Sequence, residues 1–174
     1  SDGTHSSAPQ AVTITVTNVN EFTPVITSAA TASFAENGTG TAYTVTATDA
    51  DVGAVLTYAL GGIDAALFNI DSNTGVVTFV TPPDFEAPTD VGNDNAYSLT
   101  VTASDGTHSS APQAVTITVT NVNEFTPVIT SAATAYTVTA TDADAGAVLT
   151  YALGGIDAAR FNIDSNTGVV TFVT

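Results

Sequence analysis

The chain has 174 residues, 44% of them hydrophobic, and carries 17 Asp plus Glu against one basic residue, Arg160, for a formal charge of −16. Nucleic acid and anionic membrane surfaces are excluded as partners, because both demand Lys and Arg that this chain does not have. There is no cysteine, so no disulfide framework and no thiolate metal site, and no apolar run reaches the length of about 18 residues that spans a bilayer.

Residues 1–32 return unchanged at 104–135, an offset of 103. Residues 43–81 return at 136–174, an offset of 93, with Ala145 opposite Val52 and Arg160 opposite Leu67. The difference, 103 − 93 = 10, is the length of SFAENGTGTA (33–42), which the last copy lacks. A tandem array with a unit of about 103 residues is therefore predicted in three parts. These are 1–22, the C-terminal strand segment of a truncated repeat; 23–125, a complete repeat; and 126–174, the N-terminal part of a further, shortened repeat. With no methionine anywhere, Ser1 is not expected to be a natural start.

Taken in chain order, AVTITVT (11–17) alternates Val12, Ile14 and Val16 with threonines and predicts a strand, as does its copy at 114–120. A first strand of the full repeat is expected near SFAENG, and AYTVTAT (42–48) predicts another. VLTYAL (55–60), LFNI (67–70) and VVTFV (76–80) read as shorter strands, the last two joined by DSNTG with Gly75 where positive φ is needed. GGIDAALF makes one helical turn at most, GNDN (92–95) turns the chain, and AYSLTVTA (96–103) is a further alternating strand. No segment carries a 3.6-residue period. Seven or so such strands in about 100 residues argue for an all-β, antiparallel Greek-key β-sandwich. Its core is predicted from Tyr43, Val45, Leu56, Tyr58, Phe68, Ile70, Val77, Phe79, Tyr97, Leu99, Val101, Val115 and Ile117.

The acidic residues fall at strand ends: Glu36 in AENGTG, Asp49 and Asp51 in TDAD, Asp84 and Glu86 in PPDFE, Asp105 in ASDG, and Asn121, Asn123 and Glu124 in TNVNEFTP. Together with FNIDSNTGVVTF around the hairpin and a linker ending at Pro127, this series resembles the cadherin repeat, including its bacterial cadherin-like relatives. The resemblance covers the whole full copy and implies an immunoglobulin-like, cadherin-like sandwich whose linkers bind Ca²⁺ with carboxylates of both flanking repeats. Carried over, the junction after the full copy uses Glu36, Asp84, Glu86, Asn121, Asn123, Glu124, Asp142 and Asp144. The earlier junction uses Asn18, Asn20, Glu21, Asp49, Asp51 and Asp105. Ca²⁺ prefers six to eight oxygen ligands, and two carboxylates about 4 Å apart repel by roughly 4 kcal/mol until a cation sits between them. The family linker D-x-N-D-N-x-P stands here as N-V-N-E-F-T-P, which implies fewer or weaker ions per junction.

The function so implied is a Ca²⁺-rigidified spacer or adhesive repeat of a large extracellular surface protein, whether displayed or secreted. Its partners are neighbouring repeats and identical chains. Two alternatives are a filament subunit built by strand complementation between broken repeats, and a carbohydrate- or ice-binding β-module suggested by the T-x-T arrays. No enzyme is expected: DADVG (49–53) lacks the rest of an EF-hand loop, and the Ser, Asp and His of SDGTHSS are sequence neighbours, not elements converging on an oxyanion site. Asn37-Gly38-Thr39 is a glycosylation sequon.

Overall fold

The computed structural model describes residues 2–130 and 137–173; Ser1 and Tyr136, which mark the repeat register, lie outside the described residues. The full repeat contains β1 (Val25–Ile26), β2 (Thr31–Ala35), β3 (Tyr43–Thr44), β4 (Ala47–Thr48), β5 (Thr57–Gly61), β6 (Phe68–Ile70), β7 (Val76–Phe79), β8 (Ala96–Ser104) and β9 (Gln113–Thr120). A four-stranded sheet of order β2-β9-β8-β5 packs on a three-stranded sheet of order β3-β7-β6, and β1 pairs with β4. Alternation builds the core: Tyr97, Leu99, Val101 and Ala103 of β8 and Val115, Ile117 and Val119 of β9 are buried, while the intervening threonines and serines turn outward.

Aromatic rings close the space between the sheets, with Tyr97 edge-on to Phe79 at 5.1 Å and to Phe68 at 5.7 Å, and Phe34 against Phe79 at 5.2 Å. Of the predicted core, Tyr58, Ile70 and Phe79 are only half-buried against it, and Leu56 is half-buried outside β5. The helical turn expected in GGIDAALF is a 3-10 turn at Ala65–Leu67, and its copy in the last repeat is another at Ala158–Arg160. In the GNDN turn the buried Asp90 accepts N–H groups of Asp94 and Asn95, both at 3.1 Å, and Asn93 and Asn95 take positive φ of 51° and 63°. Asp64, also buried, fastens that turn to β8 by accepting Val91 N–H at 2.9 Å and Ser98 N–H at 2.7 Å.

Three expectations change. The segment 42–48 is not one strand: Tyr43 and Thr44 pair with β7, whereas Ala47 and Thr48 pair with β1, so the chain changes partners within the segment. The pair β2–β9 is parallel, every other strand pair among the described residues being antiparallel. Parallel neighbours need a long crossover, which here is everything from β3 to β8. Finally, AVTITVT at 11–17 forms no strand, although the same residues at 114–120 lie in β9 between β2 and β8. Among the described residues no strand pairs with 11–17, so its amides join no ladder there, and Val12, Ile14 and Val16 are exposed.

The shortened repeat copies the local pairings of the full one. β10 (Val128–Ile129) pairs with β11 (Ala140–Thr141) in the register of β1 with β4, and β12 (Phe161–Ile163) with β13 (Val170–Phe172) in that of β6 with β7. Phe172 stands where Phe79 does and is 69% exposed, because no counterparts of Phe34 and Tyr97 cover it among the described residues.

Candidate metal centre at the repeat junctions

At the first junction, Asp49 and Asp51 follow β4 and Asp105 follows β8, and the fold brings ligand oxygens of all three within 4.8 Å of one another. Asp49 accepts the Asp51 N–H at 2.8 Å, an Asx turn that aims both carboxylates the same way. Asp51 in turn holds the linker: its Oδ2 accepts Glu21 N–H at 3.1 Å and Phe22 N–H at 2.8 Å. Asp105 accepts His108 N–H at 2.6 Å and Thr107 N–H at 2.7 Å. The His108 N–H is the largest of the contacts that keep this carboxyl below the ordinary range, with Thr107 N–H, the nearby imidazole and Asn20 assisting against its burial.

At the second junction two groups share Glu86: Glu36, Asp84 and Glu86 lie within 4.8 Å, as do Glu86, Glu124 and Asp144. Glu36 is 3% exposed, its Oε1 accepting Val122 N–H at 2.6 Å and its Oε2 accepting Phe85 N–H at 2.7 Å. Asp84 takes the N–H groups of Glu86 at 3.0 Å and Ala87 at 3.1 Å. Glu86 Oε1 accepts the Asn121 amide at 2.7 Å and, from the next repeat, Ala145 N–H at 3.1 Å. Asp144 repeats the part of Asp51, accepting Glu124 N–H at 3.1 Å and Phe125 N–H at 2.7 Å. Burial pushes the Glu124 carboxyl above its ordinary range; the Asn37 amide, donating to it at 3.1 Å, opposes, and the charges of Glu36, Asp144 and Glu86 add to the rise.

Not every expected ligand converges. Asp142 lies outside these groups and accepts Asp144 N–H at 2.9 Å, Glu21 joins through its backbone N–H, and the exposed Asn18 and Asn123 make no side-chain hydrogen bond among the described residues. Two neighbours were not anticipated: Asn37, read as part of a sequon, touches Glu124, and His108, the histidine of the second SDGTHSS copy, dismissed above as part of a catalytic set, stands beside Asn20 and Asp105. Asn37 here donates its amide N–H and His108 is no oxygen ligand, so only proximity ties them to the junctions.

The donor set suits a hard divalent cation. It consists of carboxylate and amide oxygens, and in it Asp49 Oδ2 and Glu86 Oε2 are buried without a hydrogen-bond partner. A buried anionic oxygen without a donor is costly, and a cation among these groups removes the cost. Asn20 fits the same logic. Turned one way its amide nitrogen donates to Asp105 at 3.0 Å and Asp51 at 3.2 Å; turned the other way its oxygen faces those same acceptors, favourable only with a cation between them.

A family model, described as the cadherin domain, matches residues 30–120. Among curated proteins, the chain is 33% identical over 186 residues to cadherin EGF LAG seven-pass G-type receptor 2 of Homo sapiens, covering 95% of this chain and 6% of that protein. It is 30% identical over 188 residues to protocadherin Fat 4 of Mus musculus, covering 95% of this chain and 4% of that protein. The chain thus spans a small fraction of the relatives it matches. Among solved structures, protocadherin gammaB7 EC3-6, a cis-dimer structure, aligns with a TM-score of 0.72 at 24% identity, over 94% of this chain and 45% of that one. Drosophila N-cadherin EC1-4 aligns with a TM-score of 0.65 at 27% identity, over 87% of this chain and 41% of that one. With the family model covering more than half of its length, the chain belongs to the cadherin domain family, whose members are non-enzymatic, extracellular adhesion modules.

Proposed function

We propose that this chain is a Ca²⁺-rigidified spacer and adhesive repeat of a larger extracellular surface protein, in which cations at the junctions set the stiffness of the array. The observation that carries the reading is Glu86. One oxygen accepts from Asn121 of the linker and from Ala145 of the next repeat, the other is buried and unpartnered, and the residue belongs to two acidic groups at once. Glu36, Asp84, Glu86, Glu124 and Asp144 would hold Ca²⁺ at the second junction, and Asn20, Asp49, Asp51 and Asp105 at the first. The ion supplies the positive charge that turns mutual repulsion of these carboxylates into attraction, so a loaded junction is stiff and a free one bends. Cationic side chains cannot substitute for the ion, since Arg160 is the sole basic side chain besides two histidines and pairs with Asp157.

Partners follow from the array: the repeats before and after, and identical chains, as in the cis-dimer of the protocadherin relative. The test is a Ca²⁺ titration read by thermal unfolding and by sedimentation. A spacer gains melting temperature and becomes more extended without growing in mass. No change in either quantity on adding Ca²⁺ would sink the reading, and growth into large species would favour a filament.

A further inference from the structure

We propose that Asn37 is a spontaneous deamidation site that adds a carboxylate to the second junction, so that chemical ageing retunes its cation binding; the second half of this rests on the Ca²⁺ reading above. Asn37-Gly38 is the one Asn-Gly pair in the chain, every other asparagine being followed by a residue with a side chain. A following glycine leaves the path of attack on the side chain unobstructed. Asn37 is exposed, sits in a turn just after β2, and has φ of 60°, and the Gly38 N–H donates no hydrogen bond among the described residues.

In the reaction the Gly38 backbone nitrogen loses its proton to water and attacks Asn37 Cγ, the Cγ–Nδ2 bond breaks, and ammonia leaves. Water then opens the succinimide at either carbonyl, giving aspartate or isoaspartate, with no change of oxidation state. Each product acts on a contact already described. Aspartate replaces the amide that donates to Glu124 Oε1 at 3.1 Å by a carboxylate that repels it. Isoaspartate lengthens the main chain next to Glu36, whose two oxygens grip Val122 and Phe85. The backbone N–H of Asn37, bonded to the Pro83 carbonyl at 2.9 Å, ties this turn to the loop carrying Asp84 and Glu86. The change is therefore made at the junction itself. The shortened repeat, lacking SFAENGTGTA, has no equivalent site.

The experiment has two arms, both on the whole chain made in a host that does not glycosylate the sequon. In the first, the chain is held with chelator in warm, mildly alkaline buffer and its asparagines are followed by peptide mapping. Asn37 is expected to convert well ahead of the rest, and conversion led by another asparagine, such as Asn93 or Asn95, overturns the assignment. In the second, Asn37→Asp is titrated with Ca²⁺ and melted without it. The added ligand charge should tighten Ca²⁺ binding by roughly threefold or more and lower the cation-free melting temperature. A binding constant and cation-free melting equal to those of the parent overturn the retuning. If the parent chain itself ignores Ca²⁺, the functional reading above fails, while peptide mapping and the cation-free melting of Asn37→Asp still decide this one.

Discussion

Ile14 and Ile117 stand at the same place in two copies of one heptapeptide, yet Ile14 is 86% exposed and Ile117 is fully buried. Identical local sequence thus meets opposite environments. The difference is β2 and β8, which flank the second copy and not the first.

That relationship predicts unequal costs for one substitution. Ile117→Ala should destabilise the full repeat by about 2–5 kcal/mol, because it empties a packed site. Ile14→Ala should change stability by no more than about 0.5 kcal/mol. Denaturant unfolding of the two variants compares them directly, and equal losses would show that 11–17 is paired in solution.

Cation removal should be felt at the junctions. At a hundredfold excess over its Kd, Ca²⁺ adds about 2.7 kcal/mol, a shift of about 5–10 °C in melting temperature for a chain of this size. Glu86→Ala should lose most of that shift, since Glu86 serves both acidic groups of the second junction. A variant that kept the full Ca²⁺-induced shift would remove Glu86 from the site.

Without cation, acidification should first stabilise. The Glu124 carboxyl sits above its ordinary value, so its destabilising contribution is full at neutral pH and disappears as pH falls through the raised value toward the ordinary 4.5. Asp105 is held low, so its stabilising contribution persists above the ordinary 3.8 and is lost only at more acid pH. Melting temperature with chelator should therefore rise from neutrality to about pH 5, and Glu124→Gln should flatten that rise. A steady fall over the same interval contradicts it.

The hairpin glycines should be intolerant in both repeats. Gly75 and Gly168 have φ of 72° and 70°, and a Cβ on either would run into the carbonyl oxygen of Val45 or Val138. Alanine at either should cost more than the ~1 kcal/mol of left-handed strain alone. Gly53→Ala, at φ of 83° in open space, should cost only that strain. Thermal melts of the three variants would rank them.

Much of the fold was legible because β-strand alternation is a local signal: Tyr97, Leu99 and Val101 were assigned to the core from spacing alone, and they are buried. The same spacing could not say that 42–48 divides between β7 and β1, since both halves alternate alike. Nor could it separate Ile14 from Ile117. At the junctions, the positions of Asp49, Asp51, Asp105, Glu36, Asp84, Glu86, Glu124 and Asp144 were readable as acidic strand ends. Their grouping came only from the family resemblance and not from spacing, because the carboxylates come from segments far apart in the chain.

By itself the sequence determined the repeat unit, the strand-rich class and the absence of a basic surface, all of which are set by composition and short-range pattern. Only the tertiary structure decided which copy of AVTITVT becomes a strand, that β2 runs parallel to β9, and that Asn37 meets Glu124. Those outcomes depend on partners distant in sequence, and burial and hydrogen-bond satisfaction are settled by the partners a segment finds.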